Sequence, residues 1–350
     1  MAQSAPARRP VPPSPVIAIV GATGAVGHAF LDCLAARNFP LAQLRLLASP
    51  RSAGSTLPFR RGALAVEALT DASFAGVDIA LFSAGGDISR RYAPIAVAAG
   101  AVVIDNSSAF RMEPDVPLVI PEINGAALAG HRGIIANPNC AAVVALMATA
   151  PIHRVNRIQR MALATYQAAS GAGAAAMAEL ESSTRAYLAG ERFTPKVLPH
   201  PYAFNLFSHN TAIDPVTGYN DEETKVMREI AKILGDAALR VSATCVRVPV
   251  MRAHAVAITI ECERPITPES ARALLNAAPG VTVVDDRALN HFPMPIEASG
   301  RDEILVGRIR SDSSDPSGCS LALFAAGDQL LKGAALNAVQ IAEMLMTQQK

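Results

Sequence analysis

The 350-residue chain reads as an α/β protein, a doubly wound parallel sheet followed by an α+β domain. Three observations predict this. Short β-branched runs alternate with helical stretches over the first 150 residues, a glycine turn follows the first of those runs, and longer strand patterns take over after Pro151. Hydrophobic residues make up 51% of the chain, ample for two cores, and the length suits two domains.

The start, "MAQSAPARRPVPPSP" (1–15), is rich in Pro, Ser and Ala and predicts a flexible tail without the apolar run of a secretory signal. "VIAIV" (16–20) is a buried-strand pattern, followed by the glycine turn and a helix to about Arg37. The strand signal recurs at 44–49, 78–84, 101–105 and 133–137, with helical segments between several of them, notably 88–99. Alternation of this kind builds a parallel sheet. Beyond Pro151, strand patterns at 157–167, 240–250 and 255–263 with helices near 171–189 and 268–277 predict a largely antiparallel sheet. The last helical segment, 328–348, is expected to pack back on the first domain. The expected division is therefore a tail over 1–15, a doubly wound domain over 16–150 completed by 328–348, and a second domain over 151–327.

Composition removes several function classes. Lys and Arg total 31 against 30 Asp and Glu, so no basic face for nucleic acid is expected. The longest apolar stretch, Cys140 to Ile152, falls short of the roughly 20 residues of a membrane span. Five cysteines, at 33, 140, 245, 262 and 319, show neither CxxC pairing nor histidines at metal spacing. A reduced, cytoplasmic protein with no metal is the expectation.

"VIAIVGATGAVG" sets Gly21, Gly24 and Gly27 directly after the first strand and at the opening of a helix. This GxxGxxG spacing is a variant of the dinucleotide fingerprint, in which glycines allow a tight turn and close backbone approach to a pyrophosphate. Gly21, Thr23, Gly24, Ala25, Val26 and Gly27 are the cofactor candidates, against an ordinary strand–helix turn. An acidic residue at the end of the second strand reads a ribose 2′-hydroxyl. Here "ASPRSAGS" has Ser49, Arg51 and Ser52 and no acid, which suits a 2′-phosphate and favours NADP over NAD. A solvated loop with one arginine is the other reading.

"ANPNCAA" raises Cys140 as a candidate nucleophile. Pro138 disfavours the helical conformation at Asn137, Asn139 is a good N-cap, and "AAVVALMATA" can run on as a helix. Cys140 would then lie in a first helical turn, where the macrodipole favours a thiolate. On these residues alone, an inert buried thiol remains open.

Six blocks in one order, "GATGAVG", "DNSSAFR", "NPNC", "TYQAASGAG", "DEETK" and "RVPVMRAH", together resemble the bacterial aspartate-β-semialdehyde dehydrogenases over residues 16–348. The resemblance implies a Rossmann domain completed by the C-terminal helix, joined to a catalytic and dimerisation domain, in a cytoplasmic homodimer. It implies NADP-dependent interconversion of 4-phospho-L-aspartate and L-aspartate 4-semialdehyde, a step in lysine/diaminopimelate, threonine, methionine and isoleucine biosynthesis. Carried over residue by residue, Cys140 matches the nucleophile and His254 the acid–base histidine, whose ordinary pKa of about 6.5 suits proton traffic near neutrality. Gln167 matches the residue orienting the acyl group, Arg247 the substrate-carboxylate arginine and Glu222 the substrate-amine contact. Arg111 and Lys225 match the phosphate-binding pair, and Ser170, Gly171 and Gln329 match cofactor contacts. Without the resemblance, Glu222 and Lys225 would read as a surface i,i+3 salt bridge.

Two departures stand out. Ala141 and Ala142 replace the Ser-Thr often found after the nucleophile, and Gln329 stands where Asn is usual. The other cysteines read as core, and His200 and His209 of "LPHPYAFNLFSHN" as adjacent structure without a catalytic role. N-acetyl-glutamyl-phosphate reductase shares the plan and the cysteine chemistry, but "YQAASGAG" and "RVPVMRAH" fit it less well. A non-catalytic relative would be favoured by loss of Cys140 or His254, and both are present.

Overall fold

The structure is a computed structural model, and it describes residues 10–347. The chain divides into two compact units, one formed by residues up to Pro138 together with Ala334 onward, the other by Asn139–Gly333.

In the first unit, β1 (Val16–Val20) leads through the glycine turn to α1 (Ala25–Ala36) and β2 (Gln43–Ala48). A hairpin follows, β3 (Thr56–Phe59) and β4 (Gly62–Ala68), then β5 (Ile79–Phe82), α2 (Gly86–Ala98), β6 (Val102–Asp105), the short α3 (Pro121–Asn124) and β7 (Ile134–Ala136). The strand order is β3-β4-β2-β1-β5-β6-β7, parallel throughout except for the β3–β4 edge. From β1 the chain winds first towards β2 and then towards β5, a doubly wound sheet with its switch point beside β1. Ile17 to Val20 and Ile79 to Phe82 are buried on both faces, which is why these strands read as continuous apolar runs. Phe74 stacks on Phe82 at 5.9 Å and closes one face of this core.

The second unit opens with α4 (Cys140–Val155), then β8 (Ile158–Gln167), α5 (Ala174–Leu188), β9 (Phe207–Ser208), α6 (Asp221–Leu234), β10 (Arg240–Arg247) and β11 (His254–Cys262). It continues with α7 (Pro268–Asn276), β12 (Val281–Val283), α8 (Pro295–Ala298), β13 (Ile304–Ser311) and β14 (Ser320–Gly327). The sheet order is β12-β13-β14-β11-β8-β10-β9. The sheet is mixed: β8–β10 and β12–β13 are parallel, and the other pairs are antiparallel. Hydrophobic α4 is buried along its length, because it lies on this sheet and against α6 and α7. A π-helical turn, Leu331–Ala335, returns the chain to the first unit, where α9 (Leu336–Thr347) packs on α1 and α3. Arg37 clamps Glu343 of α9 bidentately at 2.7 Å, and Asn337 donates to the Val119 carbonyl.

The expected boundaries need three corrections. The first unit ends at Pro138, not residue 150, because the apolar length of α4 is buried in the second unit. The chain returns at Ala334, not residue 328, because Asp328 is tied within the second unit by Arg252 at 2.7 Å. Of the predicted tail, residues 1–9 lie outside the described residues, while Val11 and Pro15 are buried rather than solvated.

Candidate active site

Cofactor candidates in the first unit gather at the carboxyl ends of β1 and β2. Gly21 has φ +88°, and a Cβ there would meet the Ser83 carbonyl oxygen at 2.3 Å, so neither the backbone shape nor the space admits a side chain. A Cβ on Gly27 would come within 2.4 Å of the Gly21 and Ala22 carbonyl oxygens. Gly24 caps α1 without a side-chain hydrogen bond, which leaves the first-turn N–H groups directed at whatever lies over the turn. Thr23, Ala25 and Val26 belong to this turn and to the start of α1. Ser49, Arg51 and Ser52 form a tight turn after β2, closed by Ser52 N–H to the Ser49 carbonyl at 2.9 Å, with Arg51 exposed. The cradle fits a dinucleotide pyrophosphate. Arg111, also in this unit, is buried and donates to the carbonyls of Asn137 (2.9 Å) and Asn106 (2.7 Å).

The remaining candidates all lie in the second unit. Asn139 caps α4 with its Oδ1, which accepts from the N–H groups of Ala141 (2.9 Å) and Ala142 (3.1 Å). Cys140 is therefore the first residue of the helix, and it is partly exposed. The same asparagine donates through Nδ2 to Glu222 Oε1 at 2.8 Å. Gln167, the last residue of β8, donates to that oxygen at 3.2 Å. Glu222 is thus turned inward and buried, and Lys225 acts on it electrostatically, with no Glu222–Lys225 ion pair within 4 Å among the described residues. Burial alone would raise its carboxyl, but His209, the two amides and Lys225 outweigh that and hold it below the usual range.

His254 opens β11 and is fully buried. Its Nδ1 accepts the Ala168 N–H at 3.0 Å, so the neutral ring carries its proton on Nε2, a buried atom without a hydrogen-bond partner. Burial pushes this imidazole down to about 3; Arg247 adds to that and Glu222 opposes it. The ordinary histidine pKa expected from sequence is corrected accordingly: without a ligand, His254 is neutral at pH 7 and serves as a donor. Ala253, just before it, has φ +72°, unusual for a residue with a Cβ, and its N–H is held by Gln329 Oε1 at 2.9 Å.

Arg247 ends β10, buried, with only long contacts to Asn210 Oδ1 (3.5 Å) and the Ala168 carbonyl (3.4 Å). Among the described residues it forms no ion pair, and a buried guanidinium so placed asks for an anion. Gly171 brings the two together: a Cβ there would stand 2.9 Å from His254 Nε2 and 3.1 Å from Arg247 Nη1. Gln329 is buried in this unit and donates to Ser170 Oγ.

Some participants carry no motif of their own. Glu229, two turns after Glu222 on α6, accepts the Asn139 N–H at 2.6 Å; the repeat of acids on one helical face is the only signal for it. His209, read as adjacent structure, is buried beside Arg247 and Glu222 and is pushed down to about 4, chiefly by burial. Cys33, Cys245 and Cys262 are buried, whereas Cys319 precedes β14 and is partly exposed, correcting its reading as core. Burial pushes the Cys245 thiol up to about 12, leaving it inert.

Fold and site define a nucleotide-dependent oxidoreductase. Residues 16–131 match the family model "Semialdehyde dehydrogenase, NAD binding domain", and residues 149–332 match "Semialdehyde dehydrogenase, dimerisation domain". The chain is 52% identical to the aspartate-semialdehyde dehydrogenase of Synechocystis sp. over 95% of its own length and 98% of that protein. It is 45% identical to the Bacillus subtilis enzyme of the same name, over 94% and 96%. Aspartate semialdehyde dehydrogenase II from Vibrio cholerae, complexed with ASA, superposes with a TM-score of 0.92 at 42% identity, covering 95% of this chain and 98% of that one. The chain belongs to the aspartate-semialdehyde dehydrogenase family.

Proposed function

We propose that the chain converts 4-phospho-L-aspartate to L-aspartate 4-semialdehyde through a thioester on Cys140, using NADPH. The observation that carries this reading is the convergence, in one unit, of a cysteine at a capped helix start, a buried histidine with an unpartnered Nε2, and a buried unpaired arginine. Family membership makes the activity a step in amino-acid biosynthesis.

In this reading the Cys140 thiolate adds to the acyl carbon, the carbon–oxygen bond to phosphate breaks, and a thioester remains. NADPH, when bound, supplies the hydride that takes this thioester to the aldehyde level. His254 holds its Nε2 proton in a hydrogen bond to the oxygen that gains charge, and when that oxygen re-forms the carbonyl the carbon–sulfur bond breaks and the Cys140 thiolate is returned. Gln167 orients the acyl oxygen, Arg247 binds the substrate carboxylate in a planar fork, and Glu222 receives the ammonium. Arg111 and Lys225 bind phosphate.

Gly21 to Gly27 would hold the pyrophosphate. Ser49, Arg51 and Ser52, with no acid among them, favour the 2′-phosphate of NADP, and Ser170, Gly171 and Gln329 supply the remaining cofactor contacts. The match to a dimerisation domain supports a homodimer. Among the described residues no helix is long and apolar enough to cross a membrane.

The test is steady-state reduction of nicotinamide by L-aspartate 4-semialdehyde, with and without phosphate, with NADP and NAD in parallel. Phosphate-dependent turnover with NADP preferred is the expected result. Equal use of N-acetyl-glutamate semialdehyde would overturn the substrate assignment.

A further inference from the structure

An asparagine side chain carries one acceptor oxygen and one donor nitrogen on the same rigid, planar amide. Asn139 uses both, in opposite directions. Oδ1 takes the N–H groups of Ala141 and Ala142 and so fixes the first turn of the helix that begins with Cys140. Nδ2 donates to Glu222 Oε1 at 2.8 Å. The backbone is pinned as well, through Asn139 N–H to Glu229 Oε2 at 2.6 Å. Glu222 and Glu229 lie two turns apart on α6, so one face of that helix grips Asn139 at two points. The residue is 5% exposed, and Pro138 restricts the chain entering it.

We propose that Asn139 is a positioning residue that orients Glu222 for the substrate ammonium while holding the start of the Cys140 helix, so that amine recognition and nucleophile placement depend on one side chain. This rests on the reading of Glu222 as the ammonium partner. The argument has a chemical core. Ser, Thr, Asp and Asn all cap helices by accepting; aspartate has no donor and a hydroxyl must accept and donate at one oxygen, so only the asparagine amide sets acceptor and donor on two atoms that face apart. A cap alone is therefore satisfied by any of the four, whereas a cap that also orients a carboxylate requires the amide. Gln167 Nε2 converges on the same Oε1 at 3.2 Å. With two amides on Oε1, the carboxylate plane is set and Oε2 is the oxygen offered to a ligand.

The experiment compares L-aspartate 4-semialdehyde with succinic semialdehyde, the same skeleton without the amine, in the wild type, Asn139→Ser, Glu222→Gln and the double variant. Serine keeps an acceptor for the cap but offers one hydroxyl oxygen, an atom nearer the backbone, in place of the separate Nδ2 that donates to Glu222; Asn139→Thr serves the same purpose if the serine variant does not fold. In Asn139→Ser the preference for the amine substrate should fall by at least about tenfold, carried by its KM rather than by kcat. In the Glu222→Gln background, the serine substitution should alter that preference by less than about twofold, since both changes remove one coupling. Equal loss on both aldehydes, or additive effects in the double variant, would reduce Asn139 to a helix cap and overturn the proposal. If Glu222→Gln abolishes the preference but Asn139→Ser leaves it intact, only this inference falls. If Glu222→Gln leaves the preference intact, the ammonium reading falls and takes the inference with it.

Discussion

Cys140 takes its place at the start of its helix from the residue before it. The Asn139 cap is worth roughly 0.5–2 kcal/mol and fixes where the helix starts. Cys140→Ser leaves that cap untouched and should keep the fold and nucleotide binding while losing nearly all turnover, because a neutral hydroxyl is a far poorer nucleophile than a thiolate. Parallel measurement of nucleotide affinity and steady-state rate checks this, and substantial residual turnover would sink the covalent route. Gly171→Ala makes a second case. Its methyl group would press on both His254 and Arg247, so kcat/KM should fall at least about tenfold with little loss of thermal stability. Unchanged kinetics in that variant would mean that the ring and the guanidinium can move aside. Cys140 and His254 were legible at this scale through their neighbours in sequence; Glu229 and His209 were not, because burial beside a site leaves no local pattern.

At the scale of elements, the glycine turn was readable because the constraint is local: a strand, a turn and a helix start occupy consecutive residues. The β3–β4 hairpin was not, since most of its residues are exposed and "GALAVEA" has the composition of a helix rather than an alternating strand. The mixed character of the second sheet was equally hidden, because the parallel pairing of β8 with β10 joins strands separated by two helices. The turn after β2 carries a prediction. Arg51→Ala should raise the KM for NADP about ten- to a hundredfold and leave NAD almost unaffected, the range expected for a charge-assisted hydrogen bond. Equal weakening of both cofactors would assign Arg51 to support of the turn.

At the scale of the whole molecule, burial of two neutral histidines makes stability depend on pH. His254 and His209 are lowered to about 3 and about 4 from an ordinary 6.5, so between those values the unfolded chain binds more protons than the folded one. Their contribution is complete above pH 6.5 and is lost as pH falls from there, down to about 4 for His209 and about 3 for His254. Each proton steepens the fall by about 1.4 kcal/mol per pH unit. Glu222, held below its ordinary range, adds loss in the same direction at still lower pH. Denaturant unfolding at pH 7.5, 6 and 5 should show this slope, and His209→Asn should flatten it; an unaltered slope would mean that another group takes up the protons.

The return of the chain at Ala334 has a consequence for how the protein is made. Asn137 Nδ2 donates to the Ala334 carbonyl at 3.2 Å, so the chain leaves the first unit and re-enters it at neighbouring points. The second unit is therefore an insertion of the kind a ribosome completes first: Asn139–Gly333 can close while the first unit still lacks α9 and the partners of Arg37 and Val119. A nascent nucleotide fold remains open until α9 emerges. Joining Pro138 to Ala334 through a few glycines should give a short chain, synthesised without pause, that binds nucleotide by itself, whereas the same residues without α9 should be captured by chaperones or degraded.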